Sequence, residues 1–517
     1  MLNGGIHLED IFPYTPLNLY QNYQEAALHA PDVMIATDTK LPAFPELSTE
    51  TTYHYSHQII VKRAHQLATF GIRHGDKVMI FKSPALDTYL LAVAVTYLGA
   101  VPVMVSYHLP PTTIETFIER LEQPFVLYDD ETKLTLDAVF NLNENRQLNI
   151  TELLTLEPTI IKHQPLPEDE ICYMTHTSGT TGIPKLICHS AQSMGWRTKW
   201  QKIVFNRIES KRPLAFHISP VHSRYNIGIS SAMSLGFPLV ALSNADFSTL
   251  ERILKMHQPV ALETHPNNFV RWAELAQSKP ELFQKTRYYH STFDAINFGT
   301  MSAFLTASKT QAPIFLQVYG QSECGPMILR SHHLETLNER DARDMGIGLL
   351  DLTQARIADK DGNILPPNTD GHIHLYSKGR ALTYYKESER FQKTVYGEWW
   401  DSGDYGCINE EGHLILKDRQ VDVIEAISSN LAIEDFLLDN LTFLNEVVIV
   451  KGKENRAQPV ITIKDNQRMD WDAWWQQVSD LPHLYKPIIM AWDNLPRTAT
   501  MKVQRRQLET MISEQMN

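Results

Sequence analysis

The sequence predicts an α/β protein: a large N-terminal region of helix-covered sheets, followed by a smaller α+β unit. Three observations carry this prediction. Helical and strand-like patterns alternate from Tyr53 to Val105, as in sheets covered by helices. Residues Tyr173 to His189 read YMTHTSGTTGIPKLICH, two apolar runs flanking a loop of glycines and hydroxyl residues. From Ile433 to the end, short strands and helices follow one another as a compact unit of their own.

Composition narrows the function classes. At 517 residues the chain has room for two or more domains. Apolar residues at 43% and charged residues at 21% are ordinary for a globular protein. A formal net charge of −13 argues against a general nucleic-acid binder, without excluding a local basic groove for an anionic ligand. Cys172, Cys188, Cys324 and Cys407 are scattered without metal-like spacing, which fits a reduced cytoplasmic setting. The N-terminus carries Glu9 and Asp10 and no charged-then-apolar leader pattern. The most membrane-like run, Tyr89 to Val105, is interrupted by Thr96, Gly99 and Pro102. It predicts a buried helix, a Gly99-Ala100 turn and a buried strand rather than a bilayer span.

Taken in order, residues 1 to 55 mix turn formers with an amphipathic helix around Leu17 to Ala30. A helix over His57 to Phe70 leads to a strand through Val78 and Ile80. A helix over Leu86 to Leu98, a strand at 101–105 and a short strand at Phe125 to Tyr128 follow. Ser193 to Phe205 predicts a helix whose Trp196 and Trp200 face the core. The stretch HISPVHSRYNIGISSAMSLG reads as irregular. Val240 to Leu242, Val260 to Glu263 and Arg287 to Phe298 resume the alternation. The C-terminal unit predicts a helix near Ile433 to Leu441, strands at 446–451 and 459–464, a Trp-rich helix at 470–480 and a strand at 487–492.

The central loop has the chemistry of a phosphate cradle. Gly179 and Gly182 let the backbone approach a ligand closely. Ser178, Thr180 and Thr181 add hydroxyl and amide donors, and Lys185 adds a point charge. A surface hairpin turn is the plain alternative. A nucleotide P-loop is a further rival, but it needs four residues between its glycines, a Gly-Lys-Ser/Thr ending and a helix. Here two residues separate the glycines, Leu186 follows the lysine, and the sequel reads as a strand.

The string TSGTTGIPK resembles the signature of the adenylate-forming superfamily: acyl-CoA synthetases, peptide-synthetase adenylation domains and luciferases. Further resemblances follow in that family's order. Gln317 to Glu323 (QVYGQSE) is similar to its YGx(S/T)E motif, Asp401 to Asp404 (DSGD) to its TGD motif, and Lys417 to Asp422 (KDRQVD) to its hinge. Pro496 to Arg505 (PRTATMKVQR) resembles its P(K/R)TxxGKxxR ending. The resemblance implies a boundary near residue 417. An ATP- and acid-binding domain would span residues 1–417, and a mobile lid carrying the catalytic lysine residues 418–517.

It also implies roles. Thr177, Ser178, Gly179, Thr180, Thr181, Gly182 and Lys185 would hold the β- and γ-phosphates of ATP. Tyr319, with Gly320, would offer a face for the base to stack on, Ser322 a hydroxyl to the α-phosphate, and Glu323 a hard oxygen for Mg²⁺. Asp404 would hold the ribose hydroxyls, Arg419 would contact ribose and phosphate, and Lys502 would be the catalytic lysine. His222 falls where the family places a gating residue beside the acid, and Ser223, Arg224 and Asp294 fall on the acid pocket. Arg224 reads as a solvated arginine, with pairing to a polar or acidic substrate tail as the alternative. Residues 222–226 offer no carboxylate for a substrate ammonium, so the acid expected is fatty or aryl and not an α-amino acid.

Three positions depart from the pattern. Val421 stands at the hinge pivot, and Ser428 and Met501 stand where the family has glycines. The glycine at the first of these borders the pantetheine tunnel, so thioester formation is less secure than adenylation. The function implied is ATP- and Mg²⁺-dependent activation of a carboxylic acid to acyl-AMP with release of pyrophosphate. Transfer to coenzyme A or to a carrier-protein phosphopantetheine would follow. The competing reading is a catalytically impaired nucleotide-binding protein of the same fold.

Overall fold

The computed structural model describes residues 12–140, 142–177, 183–292, 296–339, 343–349, 351–420, 422, 424, 427, 429–453, 456–497 and 503–515. Its described strands form three sheets of fourteen, seven and three strands. The α/β expectation for the N-terminal region holds.

The seven-stranded sheet contains the Gly/Thr loop. Strands Lys77–Lys82, Val101–Ser106 and Phe125–Tyr128 run parallel beside Ile171–His176, which forms an antiparallel hairpin with Leu186–Ser190. The strand after Lys185 removes the P-loop reading, which needs a helix there. Helix Tyr53–Phe70 starts where the Thr52 side chain accepts from the Tyr55 amide, and it ends at Gly71 with φ 113°. Every residue of helix Leu86–Tyr97 is buried, which explains the membrane-like composition of that run. No helix among the described residues is long and apolar enough to cross a membrane.

The fourteen-stranded sheet has two parts. Its parallel part includes Leu214–His217, Leu239–Ala241, Ala261–Thr264, Tyr288–Thr292 and Ile314–Gln321. Its antiparallel part continues through Gly325–His332, Asp344–Gly348, Leu414–Arg419, Trp399–Ile408, Gly371–Ser377 and Thr353–Ala358. The change of direction falls at the hairpin that carries the Tyr319–Glu323 motif. Most of the segment expected to be irregular is regular: it starts at the last residue of strand Leu214–His217 and holds the buried twelve-residue helix Ser223–Ser234. Its small and polar residues hid a helix that has no solvated face and so no amphipathic period.

The three-stranded sheet pairs Leu444–Lys451, Ala457–Ile463 and Ile488–Ile489. Helices Asn430–Asn440 and Trp471–Val478 belong to the same region, and a helix absent from the sequence expectation, Arg505–Gln515, ends the described chain. Ile424, Leu437, Ile461 and Trp474 share one buried cluster, and Val448, Val460, Leu508 and Ile512 share a second.

Candidate active site

One cavity of about 640 Å³ gathers the predicted residues. Thr177, Lys185, His222, Ser223, Arg224, Tyr319, Gly320, Ser322, Glu323, Asp404 and Arg419 all line it. Ser178, Gly179, Thr180, Thr181, Gly182, Asp294 and Lys502 lie outside the described residues, as do Val421, Ser428 and Met501.

The stem of the Gly/Thr loop is well defined. Thr177 N donates to Lys185 O at 3.0 Å, and Lys185 N donates to Thr177 Oγ1 at 3.0 Å. These two bonds close the strand hairpin and aim Lys185 into the cavity. Its ammonium donates to the Tyr384 hydroxyl at 3.1 Å and lies 4.5 Å from that ring's centroid. Burial lowers the Lys185 pKa, while Glu323 acts in the opposite sense.

Tyr384 is the residue sequence reasoning missed. Its hydroxyl donates to Glu323 Oε1 at 2.7 Å while accepting from Lys185. A lysine and a glutamate this close would otherwise pair, and the pair would use up both ligand-binding groups. The phenol stands between them as a spacer. It comes from strand Thr383–Tyr384, paired with the strand that follows Lys185. Nothing in the local sequence around a Tyr-Tyr dipeptide signals that long-range pairing.

The Tyr319–Glu323 motif sits on a hairpin end with a register shift between Tyr319 and Gly320. A Cβ on Gly320 would fall 2.3 Å from the Gly325 carbonyl oxygen, so only glycine fits. The turn is held from below by Arg197, a second missed residue. Arg197 is fully buried and donates to the carbonyls of Gly379 at 2.7 Å, Ser322 at 3.0 Å and Glu323 at 2.8 Å. Burial brings its pKa down to about 10. An arginine in a helix beside Trp196 and Trp200 carries no sequence signal for this task.

His222 caps helix Ser223–Ser234, its Nδ1 accepting from the Arg224 amide at 3.1 Å. In the neutral ring the proton is therefore on Nε2, which lies 3.1 Å from Ser322 Oγ. Nε2–H donates to that oxygen, and the Ser322 proton can be given onward to an anion. Ser223 is buried, 3.5 Å from Arg197 Nη1.

Tyr319 is buried and donates its hydroxyl to Asp404 Oδ2 at 2.7 Å, with Gln321 Nε2 at 3.1 Å from the same oxygen. Burial and the Asp404 charge both raise the Tyr319 pKa, so the phenol stays a donor. Asp404 and Arg419 face each other as register partners on adjacent strands, and Gly403 beside Asp404 has φ 74° within strand Trp399–Ile408. Strand Leu414–Arg419 ends at the hinge arginine.

Arg224 requires a correction: it is not solvated. It is 5% exposed and forms a bidentate pair with Glu263, Nε to Oε1 at 2.6 Å and Nη2 to Oε2 at 2.7 Å. The strand that supplies Glu263 lies beside the helix carrying Arg224 only in the folded chain.

Lys502 lies outside the described residues, and the described residues on either side of its segment pair with each other. Arg497 and Val503 form an antiparallel bridge, and Gln504 N donates to Pro496 O at 2.8 Å. Arg505 is anchored to Glu434 at 2.6 and 2.8 Å and to the Ile449 carbonyl at 2.6 Å. Val503 and Arg505 line the same cavity.

The donor set fits a magnesium nucleotide. Among the described residues no group of three or more His, Cys, Asp or Glu side chains gathers to bind a metal. Glu323 lines the cavity with Lys185 and Ser322, its Oε1 taken by Tyr384. A single carboxylate oxygen suits Mg²⁺, which keeps most of its waters and takes further ligands from phosphates.

Comparison with known proteins agrees with this geometry. The family profile described as AMP-binding enzyme matches residues 25–385. A 3-amino-2-hydroxy-4-methoxybenzoate diazotase from Streptomyces cremeus is 31% identical over 523 aligned residues, covering 95% of this chain and 94% of its own. A 2-succinylbenzoate–CoA ligase from Geobacillus sp. strain WCH70 is 25% identical over 487 aligned residues, covering 90% and 94%. Among solved structures, O-succinylbenzoate coenzyme A synthetase from Bacillus subtilis, in complex with ATP and magnesium ion, shares the fold. Its TM-score is 0.76 at 18% identity, over 94% of this chain and 98% of that one.

Proposed function

The chain belongs to the family of AMP-binding enzymes, and from that premise we propose that it activates a small aryl acid with ATP. It is an adenylate-forming ligase that uses ATP and Mg²⁺. The acid's carboxylate oxygen attacks the α-phosphorus, the bond from that phosphorus to the bridging oxygen breaks, and pyrophosphate leaves. The acyl adenylate is then cleaved by a thiol, that of coenzyme A, with AMP as the leaving group. The impaired nucleotide-binding alternative is not favoured. The observation that carries the reading is the convergence of Lys185, Ser322, Glu323, Asp404 and Arg419, from two hairpin ends and two adjacent strands, on one cavity.

The roles follow from the groups present. Lys185, with the loop it closes, meets the outer phosphates. Ser322, its oxygen occupied by His222, turns its proton to the α-phosphate. Glu323 would hold Mg²⁺, which when bound offsets phosphate charge. Asp404 and Arg419 take the ribose side. Lys502 meets the carboxylate and α-phosphate oxygens when residues 418–517 close as a lid over residues 1–417. Replacing Lys502 with Ala is expected to abolish acid-dependent pyrophosphate release while ATP binding persists; undiminished release would remove Lys502 from the mechanism. A carrier-protein thiol as an alternative acceptor, and a cytoplasmic location suited to four free cysteines, are parts of the same proposal.

A second reading is favoured by the 31% identity to a diazotase over nearly the whole chain, together with Ser428 at the position tied to the pantetheine tunnel and Met501 in place of the glycine beside Lys502. In that reading the activated acid is nitrous acid. A nitrite oxygen attacks the α-phosphorus, pyrophosphate leaves, and an arylamine nitrogen attacks the nitroso nitrogen, expelling AMP. Loss of hydroxide from the resulting diazohydroxide gives the aryl diazonium. Pyrophosphate release is measured with aryl acids plus coenzyme A and, in parallel, with nitrite plus arylamines. Thioester in the first arm supports the ligase. Azo dye formed with a naphthol only in the second arm replaces it with the diazotase.

A further inference from the structure

Below the reacting groups the cavity is walled by Ile227, Val270, Ile296 and Val318, with a polar cluster at one place among them. Arg224 lines the cavity there. Behind it Glu263, His290 and Gln201 are each at least nine-tenths buried. Glu263 receives Arg224 through both oxygens, and His290 Nδ1 lies 3.1 Å from Glu263 Oε2. The Arg224 Nη1 also donates to Gln201. Arg224 Nη2 also lies 3.3 Å from His290 Nδ1, which leaves one of the five guanidinium N–H groups, on Nη1, outside these contacts. Thr292, two residues after His290 on strand Tyr288–Thr292, lines the cavity, is 4% exposed, and its hydroxyl has no hydrogen-bond partner among the described residues.

The charge of the cluster decides what it can bind. Arg224 contributes one positive charge and Glu263 one negative. Burial keeps the His290 imidazole neutral despite Glu263 beside it. The sum is zero. A second carboxylate on the substrate would lose its hydration against a floor with no net positive charge, at high cost. A neutral hydroxyl or amino group would instead complete the unpaired Thr292 hydroxyl and the remaining Arg224 N–H on Nη1. A buried ion pair is weak evidence of a purely structural role, because apolar residues of the same volume often stabilise a core as well. Its presence in an apolar-walled cavity points to recognition.

Resting on the aromatic substrate proposed above, we infer that Arg224, Glu263 and Thr292 form a specificity site that selects an aromatic substrate carrying a neutral hydrogen-bonding ring substituent, hydroxyl or amino, and rejects a second carboxylate.

The test compares benzoates bearing hydroxyl, amino, methyl or a second carboxyl group by kcat/KM for pyrophosphate release. Methyl controls for size. A hydroxyl or amino acid is expected to exceed its methyl isostere by at least about 30-fold, because the methyl compound leaves buried polar groups unpaired. Thr292→Val should shrink that ratio by about tenfold. Glu263→Gln leaves the floor with the uncompensated Arg224 charge, and the dicarboxylate is expected to gain relative to every neutral analogue. Equal rates for methyl and hydroxyl compounds, or a wild-type preference for the dicarboxylate, would overturn the inference. If no acid releases pyrophosphate, the adenylation reading has failed. Calorimetric binding of the same compounds to the intact protein with AMP then reads the pocket directly. The same order of affinities supports the specificity site, and indifference to the substituent rejects it.

Discussion

Tyr384 and Glu263 both hold charges apart or together at places where the alternative pairing would disable the cavity. The Tyr384 phenol separates Lys185 from Glu323 by accepting from one and donating to the other. Tyr384→Phe keeps the ring packed against Phe391 and Trp400 but removes the spacer oxygen. Lys185 and Glu323 are then expected to pair directly, raising the Mg²⁺ concentration for half-maximal activity about tenfold, the worth of one hydrogen bond to a charged group. Magnesium titration of pyrophosphate release measures it, and an unchanged titration would show the hydroxyl to be idle. At Glu263, burial alone would raise the pKa, but Arg224 and His290 outweigh it and hold the carboxyl at about 2. The folded value lies below the unfolded one. Its contribution is therefore complete above pH 4.5 and is lost as the pH falls toward 2. The loss amounts to about 3 kcal/mol. Urea unfolding of the wild type and Glu263→Gln across this acid range should show the wild type losing the greater share of its stability.

At the scale of single elements, the hairpin Ile314–Gln321 with Gly325–His332 places Ser322 and Glu323. Its geometry depends on one missing Cβ. Gly320→Ala drives a methyl to 2.3 Å from the Gly325 carbonyl, and the backbone must yield. The expected cost is about 1–3 kcal/mol of stability, with a raised KM for MgATP because the yielding segment carries both ligand groups. Urea unfolding and initial rates read the two effects separately. A variant with normal stability and normal KM would mean that the turn tolerates the shift. Helix Ser223–Ser234 shows the same dependence of function on local geometry. The ring that caps its first turn is also the ring that meets Ser322, so the capping bond fixes which nitrogen faces the site.

Across the whole molecule, the buried clusters of residues 424–512 are separate from those of the two larger sheets. Few polar contacts join the regions, among them Arg343 with Asp435 at 2.8 Å and the Gly299 amide with Asp439 at 3.0 Å. Separate cores joined by a thin interface are expected to open separately. Hydrogen exchange in rising guanidinium should release the amides of Leu444–Lys451 and Ala457–Ile463 before those of Ile314–Gln321. Simultaneous release would make the chain one cooperative unit and weaken the proposal that residues 418–517 move as a lid.

The sequence by itself determined the class of fold and picked out many of the residues that line the cavity. Periodicity and turn chemistry are local properties, and the strand at Phe125–Tyr128 and the buried helix from Leu86 were legible for that reason. The residues proposed to meet the nucleotide were legible because short segments supply them whole: TSGTTGIPK, YGQSE and DSGD each bring their chemistry within a few residues. Tertiary structure alone decided the rest. Arg224 became half of a buried pair because Glu263, 39 residues on, is brought beside it. Tyr384 became the spacer at Lys185 across 199 residues, and Arg197 the support of the Glu323 turn across 126. Each is a contact between elements far apart in the chain, whose meeting depends on strand order and packing. A polar residue written among its neighbours in sequence carries no record of the carboxylate, phenol or carbonyl it will face once the sheets are assembled.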